Sequence, residues 1–153
     1  MTDAQHTEPI WRERANFIIA ADISSYSEVA RYEQLWARQI DEQSFEICCI
    51  PFFAYDLALG DHVETESGQR SYVIARVVQP SGRYVFRAWF GDSHHPQEEI
   101  VAELVAIGAL VERSSAHLLA VDAHDAQLAK QVAMNLQDHE NAGRLVYETG
   151  QSA

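Results

Sequence analysis

Basic residues, cysteine and long apolar runs are all scarce in this chain of 153 residues. There are 11 Lys and Arg against 23 Asp and Glu, a formal net charge of -12 at pH 7. No basic stripe can be assembled from so few cations, which excludes a phosphate-tracking nucleic-acid surface. The apolar runs are short and broken by charge, far below the roughly 20 residues a membrane helix needs. The N-terminus, Met-Thr-Asp-Ala-Gln-His-Thr-Glu-Pro, has neither the basic nor the apolar region of a secretory signal. No lipidation motif occurs. The two cysteines, Cys48 and Cys49, are adjacent. A disulfide between neighbours closes a strained ring, so two reduced thiols, one on each side of a strand, are expected in a cytoplasmic protein. The composition, 47% apolar and 22% charged, excludes fibrous and disordered classes.

Missing motifs narrow the chemistry further. There is no Cys-x-x-Cys, His-Glu-x-x-His, Gly-x-Ser-x-Gly or Walker sequence. The adjacent pairs His94-His95 and Cys48-Cys49 point opposite ways from an extended strand and chelate poorly. No metal site, no cofactor and no catalytic residue is expected.

The pattern that remains divides the chain in two. Residues 1–10 read as a loose polar tail. Residues 11–80 read as a β-rich half. Short strands are expected at 16–21, 34–40, 45–50, 62–65 and 72–78, separated by Gly, Pro, Ser and Asp turns, which suggests a small curled sheet or open barrel. Residues 81–150 change period. A strand at 84–90 is followed by a helix begun by Pro96, with Ile100, Val101, Leu104, Val105 and Ile107 on one apolar stripe. Strands at 110–113 and 117–121, a second helix capped by Asp122 or Asp125, and a strand at 145–149 complete the order. Strand, helix, strand, strand, helix, strand is the split βαβ, or ferredoxin-like, arrangement. An α+β fold is expected, its two halves forming one unit.

Two segments carry a resemblance. They are Cys49-Ile50-Pro51-Phe52-Phe53-Ala54-Tyr55-Asp56-Leu57-Ala58-Leu59-Gly60-Asp61-His62-Val63 and Pro80-Ser81-Gly82-Arg83-Tyr84-Val85-Phe86-Arg87. With Gly108 to Glu112 and Leu145 to Gly150, they resemble the bacterial domain of unknown function 4265 family over about residues 11–150. The resemblance implies a small bacterial protein and transfers no activity.

Arg87 is the most informative single residue, a cation in the middle of an apolar strand. If Phe86 and Phe90 face the helices, Arg87 and Trp89 face the other way. Arg87 then either makes a salt bridge to Glu148, Glu112 or Asp61 that joins the halves, or forms an anion site at their junction. Trp36, Tyr55, Asp61, Arg87 and Trp89 are the candidate binding residues. Turn chemistry accounts for Asp56 and Asp61 more simply than acid–base catalysis does.

The acidity is spread evenly. Residues 1–80 carry 13 acidic and 6 basic residues, and residues 81–153 carry 10 and 5. A small acidic protein without a catalytic constellation fits a non-enzymatic binding role, concretely an immunity-like or antitoxin-like inhibitor of a basic protein. The alternative is a small-molecule sensor with its ligand between the halves, near Arg87 and Trp89. An enzyme with a dispersed site ranks last. An exposed sheet edge would allow a homodimer.

Overall fold

The structure is a computed structural model that describes residues 2–68, 70–91 and 97–151. Among these residues the fold is mixed α+β, with nine strands in two sheets and two α-helices. The first sheet is a barrel of β1 (Phe17–Asp22), β2 (Tyr32–Gln39), β3 (Ser44–Ile47), β4 (His62–Glu66) and β5 (Val73–Gln79). Consecutive strands pair antiparallel, and a parallel bridge between Ala20 and Val73 closes the ring. The barrel is thus closed, not open. Leu35 and Ala37 on β2, Phe45 and Ile47 on β3 and Val63 on β4 fill it, each fully buried. Alternation along β2 puts Glu33 on the same inward side, at the end of the barrel.

β3 stops at Ile47. Cys48 and Cys49 therefore lie beyond the strand and are both buried, where a continuing strand with one thiol on each face was expected. Residues 50–61 cross from β3 to β4 as an irregular loop. It ends in Gly60 at φ +83°, where an added Cβ would meet Ser81 at 3.2 Å and the Trp11 ring at 3.4 Å. Glycine is required there both by conformation and by space.

The second sheet is formed by β6 (Tyr84–Trp89), β7 (Leu110–Arg113), β8 (Leu118–Ala123) and β9 (Val146–Thr149), in the order β7-β8-β6-β9 with every pair antiparallel. Helices α1 (Gln97–Ala106) and α2 (Ala126–Asn141) connect its strands. Asp125 begins α2 by accepting the Leu128 amide at 2.8 Å. Phe86, Ala88 and Phe90 pack with Ile100, Leu104, Leu128, Val132 and Leu136 in one core. The face assignment along β6 therefore holds. Only Ile100 and Leu104 of the expected α1 stripe are buried. Val105 and Ile107 are exposed, Val105 because its position turns away from the buried pair and Ile107 because it lies past the end of the helix. Pro96, expected to start α1, and His94-His95 lie outside the described residues.

The other sheet face packs on the barrel. Val85 and Ala120 join Ile50, Phe52 and Leu59 in a third cluster that forms the seam between the halves. The N-terminal segment, expected to be loose through residue 10, is instead ordered along this seam. Ala4 pairs with β2, donating its amide to Tyr32 O and accepting that of Gln34. Both carboxylate oxygens of Asp3 meet Arg70. Backbone pairing and a buried His6 hold what polarity alone made look mobile.

Candidate functional site

His6 sits at the centre of the seam with its side chain fully buried. Its Nε2 lies 2.7 Å from Glu33 Oε2 and its Nδ1 2.9 Å from Glu112 Oε1. One carboxylate belongs to the barrel and the other to the second sheet. Phe52 stacks on the ring at 3.8 Å and 9°, and Trp36 Nε1 donates to the His6 carbonyl at 3.1 Å.

The remaining donors to the two carboxylates are backbone amides. Glu33 accepts the amides of Phe52, Phe53 and Ala54 at 2.7, 3.0 and 2.9 Å. Glu112 accepts those of Ile50 at 2.5 Å and Ile10 at 3.3 Å. Three of the four carboxylate oxygens therefore accept backbone amides, and the fourth, Glu112 Oε1, faces His6 Nδ1. Glu33, held below its ordinary pKa, is a carboxylate, and His6, held well above its own, donates from its ring as imidazolium. Burial opposes a charge on His6, but Cys49 and the two glutamates facing it outweigh burial and hold its pKa well above the ordinary value. Burial likewise pushes Glu33 up, and the His6 proton and loop amides overcome it to leave Glu33 below the carboxylate range.

The same loop is gripped from its other side by Arg87. Arg87 donates through Nε to Pro51 O at 3.4 Å and through a second nitrogen to Ala54 O. Its third nitrogen is 3.6 Å from Glu148, an ion-pair distance, and has no hydrogen-bond partner among the described residues. The Tyr55 ring lies 5.0 Å from the guanidinium, and its hydroxyl donates to Glu148 at 2.8 Å. Residues 50–55 are therefore held by their amides from two glutamates and by their carbonyls from one arginine.

Two further charges line the seam. Asp61 accepts the amides of Ala58 and Ser81 at 2.9 and 2.8 Å, fixing two turns, and burial raises its pKa. Arg83 grips Asp122 with Nε and a terminal nitrogen, the shortest contact 2.7 Å, and lies over the Trp11 ring at 5.2 Å. Burial raises Asp122 more than Arg83 lowers it.

Beside this network the seam opens. A groove of about 400 Å³ runs between the 56–61 loop, the start of β6 and the end of β9. A second hollow of about 260 Å³ lies against Tyr26, Tyr55 and Arg76. Asp56, Leu57 and Val77 line both. Asp56 is exposed and holds φ +63°, a left-handed conformation that aspartate adopts more readily than most residues. Its amide donates to Gly150 O at 2.7 Å.

Of the five candidate residues, Tyr55 and Arg87 meet at the loop and Asp61 borders the groove. Trp36 lies against the N-terminal segment, with Arg12 5.6 Å from its ring centre. Trp89 shares the Arg87 face of β6 but is 49% exposed at the outer end, beside His117. Arg87 and Trp89 share a strand face without sharing an environment. His6 and Glu33 were not among the candidates, and Glu112, offered as an ion-pair partner for Arg87, meets His6 instead. Glu33 did carry a signal, since it falls in step with Leu35 and Ala37 on β2, where a carboxylate needs a buried partner.

A closed five-stranded barrel joined to a helix-backed four-stranded sheet defines a two-part α+β protein with a buried charge network, His6, Glu33, Arg87 and Glu112, at the joint. The family model described as Domain of unknown function (DUF4265) matches residues 33–147, and the chain belongs to that family. No curated protein matches it. A solved structure, described as "Novel crystal structure of a hypothetical protein from Neisseria gonorrhoeae", has a TM-score of 0.73 at 20% identity, covering 88% of this chain and 93% of that one. That likeness establishes a common fold.

Proposed function

We propose that this is a non-enzymatic binding protein whose ligand seats in the seam groove. One observation carries the reading. Two hollows meet at Asp56, Leu57 and Val77, and the larger has walls from both halves. About 400 Å³ is a volume suited to a small molecule. The adjoining loop is held by Glu33, Glu112 and Arg87, so the site is rigid before anything binds, which lowers the entropic cost of binding. The groups that elsewhere do chemistry are committed here: His6 by both nitrogens, Asp61 by both oxygens, and Cys48 and Cys49 by burial. We also read the second sheet, with its strand order and two connecting helices, as the ferredoxin-like unit, and the protein as bacterial and cytoplasmic.

The test is a thermal-shift screen of small metabolites on the parent and on Val77→Trp, which fills the point where the hollows meet. Compounds that stabilise the parent and not Val77→Trp support the reading. Equal stabilisation of both overturns it.

A second reading has its own observation. On the helical layer Glu98, Glu99, Glu103 and Asp138 are exposed against a single exposed lysine, Lys130, and Val105 and Met134 are exposed among them. Such a face suits a basic protein partner, as an immunity-like or antitoxin-like inhibitor would require. A stoichiometric basic protein retained at low salt and released at high salt would favour it. Retention that Glu98→Ala/Glu99→Ala/Glu103→Ala leaves unchanged would remove it.

A further inference from the structure

We propose that the cavity holding His6 is a receptor site for a planar cation, and that the N-terminal segment is its built-in ligand. Three observations converge. Glu33 and Glu112, each fully or almost fully buried, present one oxygen each to the two ring nitrogens, at 2.7 and 2.9 Å. Phe52 supplies a flat apolar surface parallel to that plane at 3.8 Å. The other oxygens of both carboxylates accept the amides of Phe53 and Ala54, and of Ile50 and Ile10, so each anion retains backbone partners when the ring is absent, though with less to hold it in place. A flat cation with N–H donors on two edges satisfies this site. Imidazolium and guanidinium groups have that form.

The segment that delivers the ring is attached on both sides of it. Ala4 pairs with β2, and the Trp11 amide donates to Cys48 O at 3.1 Å. His6 is thus a ligand tethered at both ends, seated between the barrel and the second sheet. Occupancy of its site sets how firmly Glu33 and Glu112 hold the 50–54 amides, which lead directly into Asp56 and the groove.

The experiment uses the full chain with His6→Gly and free imidazolium at pH 6. The expected result is a lowered melting temperature and faster amide exchange at Phe52, Phe53 and Ala54. Millimolar imidazole should reverse both, with a shift that grows with the logarithm of its concentration and is absent from the parent. Methylguanidinium should act similarly, and thiophene, flat but uncharged, should not. Stabilisation by thiophene equal to that by imidazole, or by neither, overturns the proposal. Where His6→Gly does not fold on its own, refolding from urea is read instead. Recovery with imidazole and not with thiophene supports the site, and recovery with neither overturns it.

Discussion

Replacing His6 by alanine leaves Glu33 and Glu112 buried and facing an empty space. Removing one partner of a buried ion pair costs about 3–5 kcal/mol. Here the two glutamates retain five backbone amides between them, which favours the lower part of that range. The protein also has an escape, since one glutamate can take up a proton. From an unfolded pKa of about 4.3, that costs about 3.7 kcal/mol at pH 7, which caps the electrostatic loss. His6→Ala should therefore destabilise by about 3–4 kcal/mol at pH 7, a fall in melting temperature of roughly 6–16 °C for a domain of this size. The pH dependence has a definite sign. The folded His6 pKa lies above its unfolded value, so its contribution is complete below about pH 6.5 and is lost at about 1.4 kcal/mol per pH unit above it. In the variant the proton sits on a glutamate, whose cost falls as the pH drops, so the gap between the two proteins should narrow between pH 7 and pH 5. Urea unfolding of both proteins across that range measures it. A loss under about 1 kcal/mol at pH 7 would refute the charge argument.

Arg83→Ala strips Asp122 of its partner. Arg83 is partly exposed, so about 2–3 kcal/mol should be lost at neutral pH. Burial already raises Asp122, so the loss should shrink as pH falls, because Asp122 takes up a proton in both folded proteins before the unfolded carboxylate does. Cys48 and Cys49 are buried, and burial pushes the Cys48 thiol up to about 11 and Cys49 upward as well. Neither should react with a disulfide reagent at pH 8 at more than a small fraction of the unfolded rate; fast native-state labelling of both would contradict their burial. Gly150→Ala places a Cβ 3.0 Å from Val85 Cβ. It should destabilise by about 1–3 kcal/mol through overpacking, and unchanged thermal stability would show that the β9 end shifts freely.

Strands, helices and the inward face of β6 are legible in the sequence because each rests on short-range periodicity. Phe86, Ala88 and Phe90 alternate, and Asp125 stands three residues before the amide it caps. Arg87 was also legible, since a cation amid apolar strand residues demands partners. Its partners were less so: two are carbonyls of the Pro51–Ala54 loop, and no side-chain pattern marks a carbonyl. The His6 centre was hidden for a related reason. His6 lies in a polar segment with no periodicity, 27 residues from Glu33 and 106 from Glu112, and only the closing of the seam brings the three together. The Pro51-Phe52-Phe53-Ala54 motif that carried the family resemblance is explained by the same centre. Phe52 faces the imidazolium, and the loop amides hold its counter-ions.

His6 joins the two halves as an imidazolium, its pKa held up to about 12. Ring-nitrogen NMR of histidine-labelled protein tests it most directly. Both His6 nitrogens should carry protons, with imidazolium shifts that do not change from pH 6 to pH 9.5. A single protonated nitrogen at pH 8, or a titration near the ordinary value of about 6.5, would contradict it.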